Sequence, residues 1–149
     1  MNSLEAGVRA LFEAYGRASN AALREPAKAD TGTLVDAFAP YFVGSGPAGV
    51  MGGPKDETFP EVVRQGFERY RAIGGTRFEI VAIAVETLDD LHAMARVDWE
   101  FDYMRPRDGA KGTIAFRNLY FVSLAGGEPK IFAWITPDEQ KAMREHGLI

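Results

Sequence analysis

The sequence predicts an α+β fold: three helices, then a run of antiparallel strands, then a short closing helix. Three observations carry this reading. Leu4, Val8, Leu11, Phe12, Tyr15 and Ala22 fall at helical spacing, with Glu5, Arg9, Glu13, Arg17 and Arg24 on the opposite side. From Ala93 to Tyr103 small, branched and aromatic residues alternate with Met94, Arg96, Asp98, Glu100 and Asp102, giving a strand with one apolar and one charged face. After the turn-like RPRDGAKG, a second β-rich run carries Ile114, Phe116, Asn118, Tyr120 and Val122 on one parity. Together the two runs form a long hairpin with an aromatic wall and one amide set into it. Helices grouped ahead of strands segregate to one face of the sheet.

Taken in order, the first helix ends before Pro26, whose ring nitrogen cannot donate a backbone hydrogen bond. PAKAD is a polar connector. Thr31 or Thr33 caps a short second helix with Leu34, Val35 and Phe38 inward, stopped by Pro40. A strand at Tyr41–Val43 leads into a loop or a small hairpin ending near Met51. Thr58-Phe-Pro-Glu61 has capping-box spacing and opens a third helix with Phe59, Val63, Phe67 and Tyr70 on one face. Gly74 and Gly75 close it. Thr76–Leu88 is the first long strand, rich in β-branched residues. Asp89-Asp90 turns into the hairpin, and Gly126-Gly127 turns into a last strand, Lys130–Thr136. Thr136-Pro-Asp-Glu139 again has capping-box spacing and starts the closing helix, which runs to about Glu145.

The 149 residues predict one domain, 1–149, large enough for a substantial core. A net charge of −4 with no Lys/Arg cluster argues against nucleic acid as a partner. The absence of cysteine excludes a disulfide framework, Cys-ligated zinc, iron–sulfur clusters and thiol catalysis. His92 and His146 have no metal-ligand spacing, so no metal and no cofactor is expected. No run reaches the roughly 18 apolar residues of a membrane span. The N-terminus lacks the apolar core of a signal peptide, so a cytoplasmic protein is expected.

Loop positions give a register. With 106–111 as the loop, Phe101 faces Phe116, Trp99 faces Asn118 and Val97 faces Tyr120. With 125–129 as the next loop, Tyr120 faces Trp134 and Val122 faces Phe132. With Asp89-Asp90 as the turn, Trp99 faces Ile80 and Phe101 faces Phe78. All three agree on one inner face: Phe78, Ile80, Ala82, Ala84, Ala95, Val97, Trp99, Phe101, Phe116, Asn118, Tyr120, Phe132 and Trp134. The other face pairs Glu100 with Arg117 and gathers Val81, Ile83, Val85, Met94, Leu119, Phe121, Ile131, Ala133 and Ile135. That is too apolar for plain solvent exposure, so this chain or a second subunit covers it.

Three stretches resemble the nuclear transport factor two-like superfamily, in the branch grouped with SnoaL-like polyketide cyclases and ketosteroid isomerases. They are LFEAYGRA in the first helix; LVDAFAPYFVGSGP leading into PEVVRQGFERY; and the ending NLYFVSLAGGEPKIFAWITPDEQKAMREHGL. The resemblance implies a cone-shaped, strongly curved antiparallel sheet wrapped around the helices (a cystatin-like α+β barrel). It also implies an apolar pocket between sheet and helices, and a homodimer through the outer sheet face. Ketosteroid isomerases use an Asp base with a Tyr and a protonated acid as oxyanion hole. Tyr15 sits where the resemblance places the Tyr. The place of the base reads Gly46-Pro47, and the place of the second acid, near Tyr120 or Phe121, holds no acid. SnoaL-type cyclases use an Asp or His. Here Asp98 and Glu100 face away from the pocket, His92 lies at a strand end and His146 on the terminal helix.

The candidate ligand-binding residues are therefore Tyr15, Trp99, Asn118, Tyr120 and Trp134, each with a structural alternative. Tyr15, Trp99, Tyr120 and Trp134 read as core aromatics or as pocket walls. A buried amide must be hydrogen-bonded, so Asn118 either bonds backbone or Tyr15, or orients a ligand. Gly44-Ser-Gly46-Pro-Ala-Gly49 matches G-x-G-x-x-G but has no following helix, so it reads as turns and not as a dinucleotide site. The function expected is a pocket for a small hydrophobic or aromatic molecule, in a degenerate relative of cyclases, isomerases or dehydratases. Any catalysis there would use Tyr15 and Asn118 as donors to an enolate-like oxygen. The alternative is a non-catalytic dimerisation or protein-interaction module.

Overall fold

The protein is described over residues 2–149 by a computed structural model. Its elements are α1 (Ser3–Arg24), α2 (Thr31–Asp36), β1 (Phe38–Gly46), β2 (Gly49–Pro54), α3 (Phe59–Ala72), β3 (Gly75–Thr87), β4 (His92–Met104), β5 (Lys111–Ser123), β6 (Lys130–Ile135) and α4 (Glu139–Glu145). The strands form one six-stranded sheet in the order β2-β1-β6-β5-β4-β3. The sheet is curved and unclosed, as a cone-shaped α+β fold requires. Every neighbouring pair is antiparallel except β1 and β6, which run parallel.

Pro40 lies inside β1 and does not stop a helix; α2 ends earlier, at Asp36. The strand accommodates it because the β1–β6 ladder is interrupted between Phe38 and Val43, so no pairing demands its missing N–H. The Gly/Pro-rich stretch resolves into the β1–β2 hairpin. Neither capping box forms. Thr58 has helical backbone angles, and Asp56 instead accepts from its N–H and hydroxyl at 2.9 and 2.6 Å. At α4 the cap is Asp138, which accepts from the Lys141 N–H at 3.0 Å.

The inner face packs on α1 and α3 around Val8, Phe12, Phe78, Val97, Trp99, Phe101, Tyr120 and Val122. Three corrections to the register place its residues. The β4–β5 ladder pairs Trp99 with Phe116, Val97 with Asn118 and Ala95 with Tyr120, two residues from expectation. A two-residue shift keeps every side chain on its face, so the aromatic wall survives. In β3, pairing holds at Phe78–Phe101 and Ile80–Trp99, but a bulge follows Ile80. Beyond it Ile83 and Val85 pack on the core, while Ala82 and Ala84 turn outward. In β6 a bulge puts Ile131 opposite Val122, fully buried, and leaves Phe132 outside against Phe121 and His92. Trp134 still meets Tyr120.

Free strand edges invite pairing with other chains. The edge of β3 is blunted by α1: Arg9 donates to the Ile83 carbonyl at 2.9 Å, and the Phe78 N–H donates to Asn20 Oδ1 at 3.1 Å. Gly16 lets the helix approach, since a Cβ there would stand 3.0 Å from Ile80. On the outer face Arg117 pairs with Asp98 at 2.6 Å, not with Glu100, and Arg77 gathers Glu79, Glu100 and Asp102. The hydrogen bonds from Arg117 and Arg77 hold the Asp98 and Asp102 carboxyls below the usual range.

The α3–β3 joint rests on one glycine. Gly74 has φ +102°, and a Cβ there would lie 2.2 Å from the Met104 carbonyl oxygen. The Met104 N–H in turn donates to the Gly74 carbonyl at 2.9 Å, so neither segment is free to move aside. Gly74→Ala combines backbone strain with a backbone clash and should cost about 2–4 kcal/mol in urea unfolding.

Candidate functional site

A cavity of about 590 Å³ lies between the inner sheet face, α1, α3 and α4. Its position follows from strand lengths. β5 has thirteen residues and β6 six, and of β5 only Leu119–Ser123 pairs with β6. The first half of β5 therefore lacks a neighbour on that side, and the chain after β6 crosses the gap as Thr136-Pro137-Asp138 and α4. The lining takes Tyr15 and Ser19 from α1, Phe67 and Tyr70 from α3, and Phe78, Trp99 and Phe101 from β3 and β4. Ile114–Asn118 and Tyr120 from β5, Trp134 from β6, and Thr136–Glu139, Ala142 and Met143 complete it. The closed end is at Trp99 and Tyr120, each 4% exposed; Asp138 and Glu139 lie at the exposed end.

All five residues singled out from the sequence line this one cavity. Aromatic rings make most of the wall. Tyr15 stands edge-on to Trp99, Tyr120 and Phe38 with centroids 5.9–6.5 Å away. Trp99 and Phe116 lie parallel, 6.2 Å apart. Trp134 fits because Gly44 faces it: a Cβ at Gly44 would come within 2.4 Å of the indole. Gly46, where the resemblance places a base, abuts Thr136 at 2.9 Å from its would-be Cβ, so a side chain there would meet Thr136.

The polar centre is the Tyr120 hydroxyl. It accepts from Trp99 Nε1 at 3.3 Å and from Asn118 Nδ2 at 3.0 Å. Asn118 thus bonds neither backbone nor Tyr15. An indole N–H donates and never accepts, and so does an amide NH₂. With both acceptor sites of the phenol oxygen taken, Tyr120 has only its proton left to offer. The reversed amide would send that proton to Oδ1 but bury an NH₂ with no partner, and orphaned N–H groups are rarer than orphaned carbonyls. As placed, Oδ1 of Asn118 is buried and unpartnered among the described residues.

Burial raises the Tyr15 hydroxyl above the ordinary phenol range, and the neighbouring Tyr120 adds to it. Burial likewise raises Tyr120, against the opposing effect of its two donors. For Tyr70, burial dominates and the Glu139 carboxylate beside it contributes. All three phenols are therefore neutral at physiological pH and act as hydrogen-bond donors, not bases.

The sequence reading missed Tyr70, Glu139 and Met143. Glu139 passed for a capping residue, and its proximity to Tyr70 depends on how two helices separated by four strands meet. Asp98 pairs on the outer face with Arg117, His92 with Asp89 at 2.8 Å, and His146 Nδ1 lies 2.9 Å from the Tyr103 hydroxyl; none lines the cavity. No cluster of three metal-ligating side chains occurs among the described residues, and no helix there is long and apolar enough to cross a membrane.

Neither a protein-family model nor a curated protein matches this sequence. Solved structures do. A ketosteroid isomerase-like protein from Erwinia carotovora atroseptica shares 22% identity over 92% of this chain and 97% of its own, with TM-score 0.64. An NTF-2 like protein of unknown function from Shewanella oneidensis shares 14%, over 90% and 98%, also at 0.64. The chain has the nuclear transport factor 2-like fold. A protein with a cystatin-like fold from Nostoc punctiforme, 14% identical over 92% of each chain at TM-score 0.58, describes the same architecture. At these identities the likeness speaks for the fold, and what the site can do is set by its own residues.

Proposed function

We propose that this domain binds a small, largely apolar molecule through a hydrogen-bond acceptor held by the Tyr120 hydroxyl. The supporting observation is the paired donation of Trp99 and Asn118 to that oxygen, which leaves Tyr120 a donor at the closed end of an aromatic cavity. Such a cavity has the size and the few convergent polar groups of small-molecule sites. Tyr15 is a second neutral phenol near the same end. A carbonyl compound suits this donor better than a hydrocarbon or an alcohol of the same shape. The likeness to a ketosteroid isomerase-like protein accords with a carbonyl-bearing ligand. Neither a cofactor nor catalysis enters this reading. If chemistry occurs, Tyr15 and Tyr120 would stabilise an enolate-like oxygen.

Thermal unfolding with 2-acetylnaphthalene tests it. The melting temperature should rise with ligand concentration, and naphthalene at equal concentration should raise it less. Equal shifts would remove the hydrogen bond from the reading; no shift with either would remove the ligand.

A homodimer through the outer sheet face is part of the same proposal. Met94, Leu119, Phe121, Phe132 and Ile135 share that face in a contiguous stretch beside the Arg77 and Arg117 ion pairs. Ile135 alone is 45% exposed. Sedimentation at micromolar concentration should give a dimer, and Phe121→Glu a monomer. A wild-type monomer would instead make the outer face a surface for a different protein, or a plain surface.

A further inference from the structure

The cavity has a second polar pole, at its exposed end, and it differs in kind from the first. Three ionisable residues other than tyrosines border the cavity: Arg117, Asp138 and Glu139. Arg117 is turned away to the outer face, and Asp138 has one acceptor position engaged. Arg117 directs its guanidinium to Asp98, at 2.6 and 3.2 Å. Asp138 caps α4 by accepting from the Lys141 N–H at 3.0 Å. Glu139 has no ion-pair partner among the described residues, and its neighbour at the wall is Tyr70. A carboxylate offers about four acceptor positions, and the wall group beside that of Glu139 is a single neutral phenol. An acceptor with spare capacity thus faces the exposed end, while a hydroxyl with only a proton to give closes the other.

We infer that the ligand is bipolar: an apolar, ring-sized body with a hydrogen-bond acceptor at the Tyr120 end and a hydroxyl donor at the Glu139 end. This rests on the ligand-binding reading above and narrows it. A molecule with pure acceptors at both ends would set an oxygen against the Glu139 carboxylate, and one with a pure donor such as an ammonium group at the Tyr120 end would leave that proton unused. Both cost binding, so the two poles together fix orientation as well as class.

The test compares 2-acetylnaphthalene with 6-acetyl-2-naphthol, which differs only by a hydroxyl at the far end, by titration calorimetry on the full chain. The hydroxylated probe should bind about tenfold more tightly, and Glu139→Ala should reduce that ratio to about threefold or less. Glu139 is exposed, so the substitution should leave the fold intact, and an unchanged circular dichroism spectrum would check this. Equal binding of the two probes by the wild type, or a ratio that survives Glu139→Ala, overturns the second pole while leaving the first standing. Failure of both probes to bind overturns the ligand reading with it.

Discussion

Phe12→Ala should destabilise the protein by about 3–5 kcal/mol, lowering the melting temperature by roughly 6–20 °C. Phe12 is fully buried on α1, its ring 4.8 Å from that of Tyr120 and 6.4 Å from that of Tyr15. It lies where the solid part of the core meets the cavity. Truncation removes a large apolar surface and opens a void next to an existing one. The wall cannot close over it, because Tyr120 is anchored by Trp99 and Asn118 on the far side. With a total stability of about 5–15 kcal/mol typical of such domains, the loss is a large fraction. Urea unfolding with an unchanged m-value would measure it. A cost below about 1 kcal/mol would mean that the cavity collapses and refills the space, and that its open volume is not held by the fold.

The same anchoring explains which parts of the architecture were legible in the sequence. Parity along β4 and β5 comes from alternation, and alternation is strong there: Arg96, Asp98, Glu100 and Asp102 mark one face without ambiguity. Register along the ladder depends on turn length, which the RPRDGAKG loop leaves open. A two-residue error moved partners without moving faces. The bulges are another matter. Val81-Ala-Ile-Ala-Val85 and Ile131-Phe-Ala-Trp-Ile135 are apolar on both parities, so no charge marks the point where the face switches. There parity puts Ala82, Ala84 and Phe132 on the inner face and Ile83, Val85 and Ile131 on the outer one, and the bulges reverse all six. The β1–β2 hairpin was half legible for a similar reason, since Pro40 reads as a stop until the interrupted ladder beside it is known.

For the site, the strand residues and Tyr15 of α1 could be read, and the residues of α3 and α4 could not. Trp99, Asn118, Tyr120 and Trp134 follow from one inner face, and Tyr15 from the apolar stripe of α1. Tyr70 and Glu139 need the packing of α3 and α4 across the mouth, which no periodicity encodes. The hydrogen-bond partner of Asn118 was also out of reach. A residue two positions along a strand lies on the same face, so the Asn118–Tyr120 contact was allowed by parity, but only the geometry selects it over Tyr15. That selection changes the role of Asn118 from a donor to ligand into a group that sets what Tyr120 offers.

The separation of those two roles gives the second large effect. Tyr120→Phe removes the acceptor for two buried donors, leaving Trp99 Nε1 and Asn118 Nδ2 unpaired, and should cost about 1–3 kcal/mol in stability. It should also weaken binding of 2-acetylnaphthalene to near that of naphthalene. Asn118→Leu acts differently. It removes the orphaned Oδ1 together with the amide, so stability should stay within about 1 kcal/mol of wild type or rise. Its effect falls on selectivity. With one acceptor site of the Tyr120 oxygen released, that hydroxyl can rotate and accept as well as donate. The wild type should prefer 2-acetylnaphthalene to 2-naphthol, and Asn118→Leu should narrow the preference, since the alcohol can now donate to Tyr120. A purely structural Asn118 would move stability and leave the ratio of the two affinities where it was. An unchanged ratio in Asn118→Leu would therefore remove the amide from the site, whatever the substitution does to the melting temperature.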